Sequence, residues 1–318
     1  MKLCLILLAA AVGVGLLLLL ILWFCYMATF HVWPERRMKA GEYDLPPGKI
    51  YEPHYDTMRK WQDETRSIPC QEVYIHSFDG LRLHGKYYEY APGAPIELMF
   101  HGYRGNADRD LCGGVQRCFA LKKNVLIVDQ RTSRESQGRT ITFGINESRD
   151  CLSWVDFLIK KFGPDVKIIL TGISMGASTV MMAVGRGLPP NVIGILADCG
   201  YTSAREIIQT VIRGMKLPVS VVYPLVKLSA RLFGRFDLEE LTAVDAMKGC
   251  TVPVIFIHGE ADDFVPCEMS RINYAACAAP KMLFTVPGAG HGLSYVIDGE
   301  SYLNALREFA ALMGLAES

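Results

Sequence analysis

Six short apolar runs separated by helix-length segments constrain the fold of this chain more than any other feature. The runs are rich in β-branched residues and cover residues 96–100, 125–128, 166–170, 193–197, 254–257 and 281–286. Strands that alternate with helices in this way build a parallel sheet with helices packed on it. Residues 146–161 place Trp154, Val155, Leu158 and Ile159 at helical spacing, which predicts a crossover helix. We therefore expect an α/β fold with a mostly parallel central sheet.

The segments around these runs suggest how the rest of the chain is organised. The run EVYIHSFDGLRLHGKYYEY alternates apolar and polar residues on both sides of Asp79-Gly80, which predicts an antiparallel hairpin at the start of the sheet. Residues 34–69 contain Pro, Gly and alternating charges, so we expect a tether with a short helix near residues 57–65. Residues 201–241 lack a strand and predict a helical cap over the C-terminal edge of the sheet. The α/β domain would then span residues 70–318.

The N-terminal region, residues 1–33, is expected to be a transmembrane anchor. Residues 3–24 carry no charge, and a helix of this length crosses a hydrocarbon layer of about 30 Å. An aromatic cluster marks its end: Trp23, Phe24, Tyr26, Phe30 and Trp33. A cleaved signal peptide is the alternative, but the apolar stretch is long for one and no clear A-x-A site follows it. Basic residues lie on both sides, at position 2 and at positions 36, 37 and 39, so the side of the membrane stays open.

Charge and cysteine usage exclude several classes of function. Lys plus Arg and Asp plus Glu both total 33, so no excess of positive charge is available for a nucleic-acid backbone. The ten Cys form no CxxC pair and no metal-ligand spacing, and we expect most of them to be buried free thiols. A small-molecule partner is therefore expected, and no metal.

The sequence Gly172-Ile173-Ser174-Met175-Gly176 predicts a nucleophile. It follows a strand-like run and precedes a helix-like one, which is the context that a nucleophile elbow requires. Glycines two positions before and after the serine allow the neighbouring backbone to approach closely. The same pattern is also compatible with an ordinary turn. A histidine and a carboxylate suited to act with the serine are needed to distinguish the two.

A serine nucleophile needs a histidine base and a carboxylate that orients the histidine. His291 lies in PGAGHG after the last apolar run, at the edge where the strands end, and it comes after the serine and the acid in the chain. Asp262 and Asp263 both follow the run at residues 254–257; we favour Asp262 and keep Asp263 as the alternative. Asp198 is a weaker candidate, expected to form a local hydrogen bond in its turn.

The segment HGYRGN, which follows the strand ending at Phe100, is placed to supply the first donor of an oxyanion hole. Two backbone N–H groups are the candidates, those of Tyr103 and Met175. Each such donor contributes about 3 kcal/mol to stabilisation of the transition state.

Five motifs, HGYRGN, GISMGAST, ADCGYTS, HGEADDFVP and PGAGHG, occur in the order found in bacterial α/β hydrolases of the serine aminopeptidase-like group. The chain resembles this group over roughly residues 73–313. The resemblance implies an α/β-hydrolase fold, a triad of Ser174, His291 and Asp262, an oxyanion hole at Tyr103 and Met175, and no cofactor. The segment DQRTSRESQGRT departs from the shorter D-x-R-G-x-G-x-S pattern of many relatives, so we expect a remodelled loop there.

These observations predict a membrane-anchored serine hydrolase that cleaves an ester, thioester or amide bond. Esters are favoured because no acidic patch for a substrate amino terminus is evident, and the apolar stretch LPVSVVYPLVKL in the expected cap could cover an acyl chain. A peptidase or aminopeptidase of the same fold is the alternative. A non-catalytic binding protein is the rival from another class, because a fold alone does not prove activity.

Overall fold

The computed structural model describes residues 2–33 and 41–315 of this 318-residue chain. The basic positions 36, 37 and 39, expected on the water side of the anchor, lie outside the described residues. The strands are β1 Gln71–His76, β2 Arg82–Tyr88, β3 Ile96–Phe100, β4 Asn124–Asp129, β5 Ile168–Ile173, β6 Val192–Asp198, β7 Val254–Gly259 and β8 Lys281–Val286.

The strands form one eight-stranded sheet in the order β1-β2-β4-β3-β5-β6-β7-β8. The hairpin of β1 and β2 is antiparallel, β2 pairs antiparallel with β4, and β3 to β8 run parallel. Every residue of β3, β4 and β7 is buried, as expected for central strands covered by helices on both faces. The predicted α/β architecture and its mostly parallel sheet are therefore confirmed.

Helices cover both faces of the sheet and extend from it at the N-terminus. They are α1 Lys2–Thr29, α2 Tyr55–Ser67, α3 Ala107–Asp110, α4 Cys112–Ala120, α5 Glu147–Phe162, α6 Met175–Val184, α7 Ala204–Gly214, α8 Val219–Ser229, α9 Ala243–Lys248, α10 Glu268–Ala276, α11 Ser294–Ile297 and α12 Gly299–Leu312. A 3-10 turn, Glu52–His54, precedes α2, and a π-helical turn, Ala230–Gly234, follows α8. The crossover helix predicted over 146–161 is α5, and its Trp154 is buried in the main core.

The end of helix α1 packs into the domain. Tyr26 and Phe30 are 6% and 0% exposed and belong to the main hydrophobic core. The backbone N–H of Ile141 donates to the carbonyl of Phe30 over 2.9 Å, and His31 forms an isolated bridge with Thr140. In the described part of the chain, α1 is the one helix long and apolar enough to cross a membrane, a property that signal sequences share.

Residues 204–234, here called the helical insertion, comprise α7, α8 and the π-helical turn. α8 packs along α1, and the ring of Phe233 lies 5.1 Å from that of Trp23 in an edge-to-face arrangement. The insertion therefore contacts the N-terminal helix, which the sequence did not indicate.

Candidate active site

The turn between β5 and α6 holds Ser174 in a strained conformation. Its φ of 56° and ψ of −116° lie in a region that non-glycine residues rarely adopt, and such strain is typical of nucleophiles in this kind of turn. The glycines are sterically required: a Cβ on Gly176 would lie 2.1 Å from the carbonyl oxygen of Phe100, and one on Gly172 would lie 2.1 Å from the backbone of Gly176. The Ser174 N–H donates to the carbonyl of Asp198 over 2.8 Å, which fixes the turn to β6.

Three predicted residues from distant parts of the chain meet in one hydrogen-bonded row. His291, in the loop after β8, lies with Nε2 2.9 Å from Ser174 Oγ and Nδ1 2.7 Å from Asp262 Oδ2. Asp262 is in the loop after β7, and Ser174 follows β5. Asp263, the alternative acid, is exposed and forms no hydrogen bond or ion pair with His291. The geometry thus distinguishes the two carboxylates that the sequence left open.

Three hydrogen-bond donors hold Asp262 as a carboxylate. Its Oδ1 accepts from the N–H groups of Phe264 and Val265, each over 2.9 Å, and its Oδ2 accepts from His291. His258 Nε2 lies 3.2 Å from Oδ2, but it donates to the carbonyl of Val265 over 2.8 Å. Burial alone would raise the pKa of Asp262, but the neighbouring imidazoles of His258 and His291 outweigh burial and lower the pKa to about 2. A carboxylate that stays ionised is able to stabilise an imidazolium during proton transfer.

The HGYRGN loop runs beside the serine. A Cβ on Gly102 would lie 3.6 Å from Ser174 Cβ, and the Gly102 N–H donates to Asp110 over 3.1 Å. Buried His101 positions the loop, because its Nδ1 bonds to the carbonyl of Gly102 over 2.8 Å and its Nε2 accepts from the N–H of Gln130 over 2.9 Å. No local pattern in the sequence indicates this link between the loop and Gln130, the residue that follows β4.

The two predicted oxyanion donors come from different segments of the chain. Met175 is the first residue of α6, directly after Ser174, and Tyr103 follows Gly102. The Tyr103 side chain is used in a structural contact, since its hydroxyl donates to the carbonyl of Thr29 in α1 over 2.7 Å. Assignment of an oxyanion hole to these N–H groups stays a prediction.

The loop expected to be remodelled contributes structural contacts rather than site residues. Asp129 accepts from the N–H of Ala107 over 3.1 Å and lies 2.8 Å from His84 Nδ1. Arg131 pairs with Asp150 through two contacts of 2.7 Å and with Asp79. These contacts join the loop to the hairpin and to α5.

A cavity of about 560 Å³ opens beside Ser174, within the range of small-molecule sites. Its walls include both Ser174 and His291. The residues around them come from the segment before the sheet, from α4 and from α11: Pro46, Ile50, Tyr51, Met58, Trp61, Gly113, Gly114 and Tyr295. Trp61 stacks on Tyr295 with 5.3 Å between ring centroids. The cavity is therefore an apolar cleft next to a hydrogen-bonded serine.

The lining of this cavity corrects two expectations. No residue from 201–241 lines it, so the stretch LPVSVVYPLVKL does not cover the cleft, because α8 instead packs against α1. The segment expected to be a tether with a short helix also supplies part of the wall, from Pro46 to Trp61. Three acidic residues line the cavity together with four basic ones, so the lining is not an acidic patch: Asp110, Asp198, Asp263, Lys49, Arg104, Arg109 and Arg117.

The far end of the cavity is polar and buried. The Tyr302 hydroxyl donates to Asp198 Oδ2 over 3.0 Å and lies 3.4 Å from Arg117 Nη1, and Arg117 also pairs with Glu97. The sequence suggested a local hydrogen bond for Asp198 in its turn. The side chain instead bonds to Tyr302 in α12. Burial raises the pKa of Asp198 to about 6. Among the described residues, Arg117 Nε and Asp198 Oδ1 have no hydrogen-bond partner.

One group of potential metal ligands coincides with the row of site residues. Ligand atoms of Cys199, Asp262 and His291 lie within 4.8 Å of one another. Asp262 and His291 already bond to each other, and burial raises the pKa of the Cys199 thiol well above its usual range. The hydrogen bond between Asp262 and His291 already uses two of these three groups, an arrangement typical of an acid–base pair.

No protein-family model matches this chain. It is similar to the uncharacterized protein YqkD of Bacillus subtilis, with 28% identity over 187 residues, which cover 58% of this chain and 61% of that protein. It is also similar to the alpha/beta hydrolase domain-containing protein WAV2 of Arabidopsis thaliana, with 24% identity over 75% of this chain and 78% of that protein.

Solved structures with the same architecture include an esterase and a peptidase. The Pyrococcus furiosus esterase Pf2001 superposes with a TM-score of 0.65 at 19% identity, covering 88% of this chain and 97% of that one. The acylaminoacyl peptidase of Pyrococcus horikoshii gives 0.58 at 15% identity, covering 78% of this chain and 42% of that one. At these identities the likeness shows the fold, and the fold of this chain is that of the α/β hydrolases.

Proposed function

We propose that this protein is a serine hydrolase that cleaves carboxylic esters through an acyl-enzyme on Ser174. The observation that carries the proposal is the row from Ser174 through His291 to Asp262, with contacts of 2.9 and 2.7 Å, at a strained turn beside a cavity. A buried serine and aspartate joined by a partly buried histidine at these distances have the geometry that acyl transfer requires. Similarity to α/β-hydrolase proteins and to an esterase supports the same class.

The reaction begins with His291. Its Nδ1–H donates to Asp262, so its Nε2 accepts the Ser174 proton as Oγ attacks the substrate carbonyl carbon. The N–H groups of Tyr103 and Met175 donate to the resulting oxyanion. His291 then returns the proton to the leaving alcohol, and a water molecule, deprotonated by the same histidine, releases the acid and regenerates the serine.

The cavity favours an ester with an apolar acyl or alcohol group of moderate size. Met58, Trp61 and Tyr295 line the wall with apolar surface, and burial of such surface contributes about 25 cal/mol per Å² to binding. We therefore propose a small to medium ester rather than a polymer as substrate. No metal or organic cofactor takes part in this mechanism.

A peptidase is the second candidate, and one observation favours it. Asp263 is exposed and lines the cavity, where its carboxylate could pair with a substrate amino group. The structural similarity to an acylaminoacyl peptidase supports the same alternative. If Asp263 binds an amine, replacing it by Asn should raise KM for amino-acid amides and leave KM for simple esters unchanged.

We also propose that α1 stays attached as a single-pass membrane anchor. Burial of Tyr26 and Phe30 in the main core supports this, because cleavage after a signal sequence would remove part of that core. In this arrangement residues 70–318 form the catalytic domain. The segment that precedes it serves both as connection and as cavity wall.

The test is hydrolysis of p-nitrophenyl esters of increasing chain length by the detergent-solubilised full chain, with Ser174→Ala and Ser153→Ala compared. Ser153 is a partly exposed serine of α5 and serves as the matched control. We expect saturable hydrolysis by the native chain and the control, and a loss of roughly 10⁵ in kcat for Ser174→Ala. A folded native chain that hydrolyses no ester, thioester or amide would favour the non-catalytic binding protein.

A further inference from the structure

The helical insertion exposes an unusual amount of apolar surface. Five large apolar side chains between residues 215 and 232 are between 46% and 65% exposed: Met215, Leu217, Val221, Leu228 and Leu232. The opposite side of α8 is packed, with Tyr223, Val226 and Ser229 buried. The helix is therefore well packed on one side and exposes apolar side chains on the other. Exposed apolar patches of this kind mark contact surfaces.

The same segment is strongly basic. Residues 207–236, which include the two residues after the insertion, contain no Asp or Glu and five basic residues: Arg213, Lys216, Lys227, Arg231 and Arg235. Lys227 and Arg231 pair with Glu239 and Asp237. The other three are exposed and have no ion pair with any residue in the ranges 2–33 and 41–315. Basic side chains next to exposed apolar ones are typical of protein segments that lie in a lipid interface.

The position of this face follows from its packing on α1. Burial of α1 begins at Leu22, so its exposed part, residues 2–21, is a helix of about 30 Å, the thickness of a hydrocarbon layer. The bilayer surface would then lie near Leu22. The π-helical turn packs against α1 on the domain side of this level, where Phe233 contacts Trp23 and Tyr26, and α8, which precedes this turn, also packs against α1.

We propose that this exposed face of the helical insertion binds the surface of a bilayer that contains anionic phospholipids. The apolar side chains enter the boundary between headgroups and acyl chains, and three basic side chains, Arg213, Lys216 and Arg235, contact the lipid phosphates. The domain is then held to the membrane at two places, by α1 and by the insertion. The inference rests on the proposed anchor but not on the proposed hydrolysis.

The helical insertion that carries this face packs against α1, the same helix that the candidate oxyanion loop contacts. Arg104 donates to the carbonyls of Ala28 and His31 over 3.0 and 3.1 Å, and Tyr103 donates to Thr29. The insertion and the HGYRGN loop thus contact the same last turns of α1. Lipid contact would fix the orientation of the catalytic domain relative to the membrane.

The experiment measures amide hydrogen exchange by mass spectrometry on the full chain in nanodiscs, either of phosphatidylcholine alone or of phosphatidylcholine mixed with phosphatidylglycerol. We compare the native chain with the triple variant Arg213→Glu, Lys216→Glu and Arg235→Glu. A triple variant of exposed residues elsewhere, with the same change in net charge, is the matched control: Lys60→Glu, Lys160→Glu and Arg307→Glu.

We expect phosphatidylglycerol to reduce deuterium uptake in residues 211–236 by roughly twofold in the native chain and in the control, and not in the insertion variant. Equal uptake in both nanodiscs would overturn recognition of anionic lipid. Protection that increases with the number of chains per nanodisc would show that a second copy covers the face. A chain that copurifies with neither nanodisc would overturn the anchor and this inference together. Ester hydrolysis measured on the same samples reports on the proposed function independently.

Discussion

Replacement of Asp262 by Asn should abolish most activity while leaving the site assembled. The two side chains have nearly the same shape, and the structure fixes how the amide must lie. The oxygen at Oδ1 accepts from two backbone N–H groups, those of Phe264 and Val265, each over 2.9 Å. An amide nitrogen placed there would face two donors. The Asn oxygen therefore takes the Oδ1 position, and its NH₂ group points at His291.

This orientation reverses the tautomer of His291. The NH₂ group donates to Nδ1, which lies 2.7 Å from the present Oδ2 position, so the ring proton moves to Nε2. Nε2–H can no longer accept the Ser174 proton. For a triad in which the acid sets the tautomer, this change lowers kcat by about four orders of magnitude, or about 5 kcal/mol of transition-state stabilisation.

The assay is steady-state hydrolysis of a p-nitrophenyl ester by the purified full chain, together with thermal unfolding of each variant. Asp263→Asn is the matched control, since Asp263 is exposed and forms no hydrogen bond with His291. This variant should stay within roughly threefold of the native rate for simple esters. A folded Asp262→Asn variant with more than about a tenth of native activity would refute the tautomer reasoning. An equal loss in Asp263→Asn would reassign the acid.

Three further predictions address the turn, the polar end of the cavity and its wall. Gly176→Ala should destabilise the fold by roughly 3 kcal/mol or more, because its Cβ would lie 2.1 Å from a backbone oxygen; an unchanged melting temperature would contradict the close packing. Burial raises the pKa of Asp198 to about 6 from an ordinary value of 3.8, so the folded state holds a proton that the unfolded chain loses, and stability falls as pH rises between these values. Asp198→Asn should remove this loss, on the order of 3 kcal/mol, from the pH dependence of unfolding; parallel profiles for the two proteins would show that Asp198 titrates normally. Tyr51→Ala should widen the cavity and raise kcat/KM for long relative to short esters by roughly tenfold, and an unchanged ratio would remove Tyr51 from the substrate path.

Much of the sheet could be predicted because its signal is local. The runs at residues 96–100 and 281–286 coincide with β3 and β8. The run predicted over 166–170 overlaps β5, Ile168–Ile173, but begins two residues and ends three residues earlier. The hairpin at Asp79-Gly80 forms as predicted, since Gly80 adopts a φ of 85° in its turn. Apolar alternation and turn residues act within a few positions, and the sequence displays them directly.

The three residues of the site could be predicted from the sequence for a related reason. Parallel strands bring their carboxyl ends to one edge, so Ser174 after β5, Asp262 after β7 and His291 after β8 converge wherever such a sheet forms. The choice between Asp262 and Asp263 depends on which side chain points inwards. That direction is set by the turn after Gly259, which neighbouring residues in the sequence do not specify.

The cavity wall could not be predicted, because it depends on contacts between distant segments. Trp61 lies in α2 and stacks on Tyr295, more than two hundred residues later in the chain. The insertion was expected over the cleft, but α8 packs against α1 instead. Which of two apolar surfaces a helix covers is decided by shape and area, and neither is visible in the order of residues.

The central claim, that Ser174 is an activated nucleophile, is tested most directly by a fluorophosphonate probe and intact-protein mass spectrometry on the folded full chain. The row of contacts from Ser174 to Asp262 predicts addition of one probe per chain, located by peptide mapping on Ser174 and absent from Ser174→Ala. A folded native chain that takes up no probe, or one labelled equally in the variant, would contradict the account.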